Sequence, residues 1–264
     1  MKAPVAGTSI AYDVRGSGPP VLFLHAFPLT LRMWDAQARG LEGTHQVVRF
    51  DARGFGGTPP GDGLLTMERI ADDAVALLDH LGLSKAVVCG LSMGGYAAFA
   101  LMRRHPERVK GLVFADTRTA PDSPEGKRSR SAQADTVRRE GPPGIADAFL
   151  QKAVGETTRK ERPEVVARIK EMILAASARG IVDALAGLAA RADSGPTLRE
   201  IKVPTLVVCG AEDALTPVAD AEAIQRGIPG SRLELIPKAG HLSSLEDPAA
   251  FNAALAGFLA AVPR

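Results

Sequence analysis

Six short runs rich in Val, Leu, Ile and Phe, spaced by segments of helical period, constrain this 264-residue chain more than any other feature. They fall at 21–25, 46–50, 86–91, 110–115, 205–210 and 232–236. Most do not alternate polar with apolar residues, the pattern expected of buried parallel strands covered on both faces. Residues 8–14 alternate better and predict the start of an antiparallel edge, broken by Gly16-Ser17-Gly18-Pro19-Pro20. Between the runs, 66–81 sets Ile70, Ala74, Leu77, Leu78 and Leu81 on one helical stripe, with Thr66 as N-cap and Gly82 just past the end. Further helices are predicted at 92–105, stopped by Pro106, and at 218–226 and 248–261. Strand alternating with helix implies right-handed crossovers and an α/β fold built on a doubly wound, mostly parallel sheet.

The alternation fails over 118–202. That stretch shows helical patterns only, as at 164–178 with Val165, Val166, Ile169, Met172, Ile173 and Ala176, punctuated by Gly141-Pro142-Pro143-Gly144 and Gly195-Pro196. The predicted division is a core of 1–117 and 203–264 with a helical cap of 118–202 inserted after the strand that ends at Ala115. The cap holds 16 Lys and Arg against 12 Asp and Glu, a weak basic tilt, and its Lys127-Arg128-Ser129-Arg130 run reads as a solvated helix face.

The formal net charge of +2 gives no strong pull toward nucleic acid or membrane. With 45% hydrophobic residues, a chain of this length can bury a core without disulfides or metals. Cys89 and Cys209 form no CxxC pair and no ligand cluster. The opening residues lack the apolar stretch of a signal peptide and no apolar run is long enough to span a bilayer, so a cytoplasmic location is expected.

The first chemical signal is Gly90-Leu91-Ser92-Met93-Gly94-Gly95, which leaves an apolar strand and opens a helix. That context suits a nucleophile elbow, where a strained turn holds Ser92 at the carboxyl edge of the sheet. Gly90 and Gly94 are needed because a Cβ there would strike neighbouring backbone. A serine hydroxyl needs a base, and the base needs an orienting acid; in elbow enzymes these follow in the order serine, acid, histidine. His241, in a loop after the last strand, is the predicted base, whereas His45, His80 and His105 sit on helix or loop edges. Asp213, leaving the strand at 205–208, is the predicted acid, with Glu212 as nearest rival and Asp116 as a more distant one.

These motifs, with His25-Ala26-Phe27-Pro28, Asp51-Ala52-Arg53-Gly54-Phe55-Gly56-Gly57-Thr58, Gly210-Ala211-Glu212-Asp213 and Ala239-Gly240-His241, resemble the α/β-hydrolase superfamily over nearly the whole chain. The likeness is to its small esterases, lactonases and cofactor-free haloperoxidase or perhydrolase-like members, with a lean toward 3-oxoadipate enol-lactonase-like or general carboxylesterase activity. It implies the α/β-hydrolase fold, with the cap following the sixth strand. It also implies an oxyanion hole from the backbone N–H groups of Phe27 and Met93, a structural His25, and a scaffolding role for the loop at 51–58. Relatives usually carry glycine where Ala26 stands, so the loop is expected to shift if a positive φ is needed there. In the family's strand order a third strand separates Cys89 from Cys209 by roughly 9.5 Å, too far for a disulfide.

The expected reaction is hydrolysis of a small-molecule ester or lactone through an acyl-enzyme on Ser92, with no metal or organic cofactor. Perhydrolysis is a conceivable side activity. Relatives that dehalogenate haloalkanes or open epoxides carry aspartate at the elbow, so Ser92 argues against both. Carbon–carbon hydrolases, amidases, hydroxynitrile lyases and ligand receptors on the same scaffold keep the serine and stay open, as does homo-oligomerisation. Trp34, Phe149, Met172 and Ile173 are candidate pocket-wall residues beside Phe27 and Met93, each with a core-packing alternative.

Overall fold

The apolar runs become strands because each divides its side chains between two greasy layers. On β3 (Pro20–Leu24), Val21 and Phe23 enter one buried cluster while Leu22 and Leu24 enter the other. The same split holds on β4 (Gln46–Phe50), β5 (Ala86–Leu91), β6 (Val109–Ala115) and β7 (Thr205–Gly210). The protein is described by a computed structural model that covers residues 1–5 and 7–263. Adding β1 (Lys2–Val5), β2 (Thr8–Arg15) and β8 (Arg232–Ile236) gives an eight-stranded sheet in the order β1-β2-β4-β3-β5-β6-β7-β8. From β4 to β8 all neighbours are parallel; β1–β2 and β2–β4 are antiparallel.

α1 (Asp35–Leu41) and α11 (Pro248–Leu259) cover one face. α2 (Met67–His80), α3 (Met93–Arg104) and α9 (Val218–Gly227) cover the other. Thr66 caps α2 by accepting from the Arg69 N–H, and Gly82 follows its end at φ 67°. Between β6 and β7 run α4 (Pro124–Glu140), α5 (Pro143–Ala153), α6 (Glu156–Glu161), α7 (Pro163–Leu174) and α8 (Ala178–Ala190), with no strand among the described residues. A short α10 (Ser243–Glu246) follows β8. No single helix is long and apolar enough to cross a membrane.

Three sequence readings change. The residues at 8–14 do pair antiparallel, but β1 lies outside them, so the sheet's edge is a strand the pattern did not reveal. The run at 232–236 is not a buried strand: β8 has a neighbour on one side only, and Leu235 is 44% exposed. The helix expected at 164–178 ends at Leu174, and α8 starts afresh at 96° to α7 with the Ser177 hydroxyl accepting from the Gly180 N–H. The two cysteines lie on β5 and β7 with β6 between them, both buried and free.

Candidate active site

β5 delivers Ser92 to the carboxyl edge of the sheet at φ 54° and ψ −110°, a conformation that an L-residue adopts only under constraint. The constraint is close packing. A Cβ on Gly90 would lie 2.2 Å from the Gly94 carbonyl oxygen, and one on Gly94 would lie 2.1 Å from that of Leu24. Beyond the turn α3 begins at Met93, so its N-terminal end faces the serine.

His241 reaches this point from the loop after β8. Its Nε2 lies 2.8 Å from Ser92 Oγ, and its Nδ1 lies 2.8 Å from Asp213 Oδ2. Asp213 is fixed in turn by the N–H groups of Leu215 (2.8 Å) and Thr216 (2.9 Å) and by the Thr216 hydroxyl (2.6 Å). A carboxylate only accepts, so Nδ1 carries the proton that points at it and Nε2 is left to accept from the serine hydroxyl. Burial pushes the Asp213 carboxyl up, but the adjacent His241 and the Thr216 donors outweigh it and hold its pKa below the usual carboxylate range. Burial likewise pushes His241 down, and the charge and hydrogen bond of Asp213 more than reverse that, leaving its pKa raised.

The two rival acids have other tasks. Glu212 accepts from the N–H and hydroxyl of Thr157, pinning α6 to the loop after β7. Asp116 is buried at φ 44°, accepting from the N–H groups of Gly210 and Ser243 and the Ser243 hydroxyl. Burial, with Asp213 close by, raises its pKa well above the ordinary carboxylate value. Asp116, Cys209 and Asp213 each bring one ligand atom within 4.8 Å of the others. Both carboxylates are already occupied by protein donors, and burial pushes the Cys209 thiol up, so the donor set suits hydrogen bonding better than a cation.

On the other side of α3's N-terminus lies the loop that follows β3. Among the described residues the backbone N–H groups of Phe27 and Met93 have no hydrogen-bond partner. Ala26 lies outside the left-handed region, so it fits here without glycine's freedom. His25 Nε2 accepts from the Ala52 N–H at 2.9 Å, so its Nδ1–H donates to the Ala26 carbonyl at 3.0 Å. Burial lowers its pKa, consistent with a neutral ring that ties two loops together. Asp51 and Thr58 brace the neighbouring loop, with Asp51 accepting from Leu31 and Gly57 and Thr58 donating to the Asp51 carbonyl. His105 pairs with Asp72 at 2.8 Å and His80 packs edge-on against Tyr12, both away from Ser92.

A cavity of about 530 Å³ opens over Ser92 and His241, within the range of small-molecule sites. Phe27, Tyr96 and Leu215 line it from the core, α4 and α5 from above. Of the six predicted wall residues, Phe27 and Phe149 line it, and Met93, Trp34, Met172 and Ile173 do not. Trp34 is fully buried between Phe23 and Phe251. Met172 and Ile173 spend the apolar face of α7 on the core cluster instead. Nor is Lys127-Arg128-Ser129-Arg130 wholly a solvated face: Arg128 is exposed, but Ser129 and Arg130 turn toward the cavity.

Two contributors had no clear sequence signal. Thr216 reads as an ordinary loop residue, although its hydroxyl donates to Asp213. Glu246 is fully buried and accepts from the N–H groups of Gly155 (2.9 Å), Gly240 (2.9 Å) and Leu242 (3.1 Å), fastening the His241 loop to the join between α5 and α6. Its sequence neighbours, Leu245 and Asp247, give no sign of that role.

The alpha/beta hydrolase fold profile matches residues 19–248. The chain is 32% identical to 3-oxoadipate enol-lactonase 2 of Acinetobacter baylyi, over 90% of this chain and 87% of that one. Among solved structures, a thermophilic esterase from Thermogutta terrifontis, with malate bound, superposes with a TM-score of 0.94 at 43% identity, covering 97% of this chain and 94% of that one. The enol-lactonase from Burkholderia xenovorans LB400 gives 0.92 at 30% identity, covering 98% and 100%.

Proposed function

The chain belongs to the alpha/beta hydrolase fold family and is a hydrolase of its esterase and lactonase branch, and on that premise we propose that it cleaves a carboxylic ester or lactone through an acyl-enzyme on Ser92. The observation that carries the reading is the unbroken relay from Ser92 Oγ through His241 to Asp213, with both links at 2.8 Å.

In the proposed reaction Ser92 Oγ attacks the carbonyl carbon as its proton passes to His241 Nε2. The imidazolium so formed is held by Asp213, which orients it and does not take the proton. Negative charge on the carbonyl oxygen falls to the N–H groups of Phe27 and Met93, each such donor being worth about 3 kcal/mol in the transition state. When the tetrahedral centre collapses, the carbon–oxygen bond of the leaving group breaks and that oxygen receives the proton from His241. A water molecule then repeats the sequence, with His241 as base, and releases the acid. Residues 118–202 act as the cap that shapes the substrate cavity, and the reaction draws on no metal or organic cofactor.

The test is release of p-nitrophenol from acetate, butyrate and octanoate esters by the intact protein and by Ser92→Ala. Turnover by the intact protein with background rates for the variant is expected. Equal rates for the two would remove Ser92 from the chemistry. Inactivity of both, with ester-dependent stabilisation, would turn the reading toward a receptor.

A further inference from the structure

The two edges of the sheet are finished differently. Met1 and Tyr12 exchange both backbone hydrogen bonds, so Met1, Ala3 and Val5 turn their backbone groups to β2 while Lys2 and Pro4 turn theirs outward. Pro4 has no N–H to offer there, which blunts that edge. β8 has no such guard. The Ile236 carbonyl accepts from the Ala211 N–H, so in the parallel ladder Arg232, Glu234 and Ile236 bond to β7, and Leu233 and Leu235 point their N–H and C=O groups away from the sheet. No described residue hydrogen-bonds to those groups.

The side chains of β8 divide as sharply. Leu233 packs in part on the cluster that α9 covers, and Leu235, on the same face, is exposed. Ile236 is buried in the opposite cluster, so Arg232 and Glu234 lie on the other face. Both are exposed, and neither forms an ion pair among the described residues. We propose that two copies of this chain join antiparallel along β8, about a two-fold axis through Leu233. In that register Leu233 and the partner's Leu233 exchange both backbone hydrogen bonds, and the Leu235 N–H reaches the carbonyl of the partner's Ser231. On one face the Leu233 and Leu235 side chains of both copies form one apolar patch. On the other, Arg232 stands opposite the partner's Glu234, and by symmetry Glu234 opposite the partner's Arg232, in the type of pair whose side chains come closest. Neighbouring registers fail. An axis through Arg232 or Glu234 sets like charges against each other, and one through Leu235 brings Leu233 against the partner's Pro237, which has no N–H. Charges of one sign along an edge repel a second copy; opposite signs two residues apart make this edge self-complementary.

The test is oligomeric state by sedimentation velocity over a concentration series, for the intact protein, Arg232→Glu, Glu234→Arg and the two combined. The intact protein is expected to show a concentration-dependent dimer, since a contact this small belongs to the transient class. Each single reversal puts like charges opposite one another at two symmetric sites and should weaken the dimer at least about tenfold. The combined variant restores opposite charges and should return the dissociation constant to within about threefold of the intact protein's. Both positions are exposed, so at dilutions where every protein is monomeric the variants should keep the intact protein's Tm, which separates lost pairing from lost folding. A monomer at every concentration, a dimer that neither single reversal weakens, or single losses that the combined variant does not repair would each overturn the pairing along β8. Ser92→Ala should dimerise as the intact protein does, so this interface and the Ser92 reaction stand or fall separately.

Discussion

Ser92 is held in a backbone conformation that costs about 1–3 kcal/mol, compensated by the packing of Gly90 and Gly94 around it. The strain places Oγ where one histidine nitrogen can reach it. Asp213 acts on that histidine twice, by fixing the Nδ1–H tautomer and by raising its pKa. In the proposed reaction His241 must be neutral to accept the serine proton, so kcat/KM should fall as pH drops through its pKa, which lies above the ordinary histidine value. Asp213→Asn removes the charge that favours imidazolium. Its acid limb should therefore move to lower pH, while kcat falls by about 10⁴-fold because the tautomer is no longer enforced. A pH–rate profile of the two proteins checks both parts; an acid limb that stays in place would mean that Asp213 does not set the His241 pKa.

At the level of elements, the arrangement depends on what ties the loop after β8 to the helical segment between β6 and β7. Glu246, at the end of α10, takes N–H groups from both sides of that join, and the His241 N–H donates to the Ala153 carbonyl at the end of α5. His241 is thus held by the helical segment between β6 and β7 as well as by its own loop. In Glu246→Gln one accepting oxygen becomes a donor that faces backbone N–H groups. We expect a loss of about 2–3 kcal/mol in stability, visible as a lower Tm. A drop in kcat larger than any change in KM should accompany it, because the looser loop misplaces His241 more than it disturbs the cavity. An unchanged Tm with unchanged kcat would show that the three N–H groups find other acceptors at no cost.

For the molecule as a whole, the cavity exists because two layers meet over the sheet's carboxyl edge: the strand-end loops supply Ser92 and His241, and α4 and α5 supply most of the wall. Phe149 sits at the junction, edge-on to Phe27 with ring centres 6.3 Å apart. Truncating it should lengthen the space for an apolar chain. Phe149→Ala is expected to shift the p-nitrophenyl ester profile toward longer acyl groups, by up to about fourfold in kcat/KM for each added methylene, the worth of roughly 0.8 kcal/mol of burial. The ratio of octanoate to butyrate activity reads this directly, and a profile that does not move would place the acyl chain elsewhere.

The sequence by itself determined the features whose cause is local. Apolar runs too uniform to face water on one side had to become covered strands, as β3 to β7 are. A serine between glycines at a strand-to-helix junction had to turn sharply, and the order serine, aspartate, histidine put the two partners in loops at strand ends. What depended on three-dimensional neighbours was not legible in the chain. Trp34, Met172 and Ile173 have the size and polarity of pocket residues, yet helix rotation and packing gave their faces to the core. Arg130 and Arg128 are two residues apart in one basic run, but only the turn of α4 over Asp122 sends one inward and leaves the other in water. β1 and β8 became edges through strand order, which runs of hydrophobicity do not encode. Glu246 acquired its role only when the chain brought the distant Gly155 N–H to the carboxylate that also takes the nearby N–H groups of Gly240 and Leu242. Periodicity records which side chains leave water; tertiary packing decides which neighbour receives them.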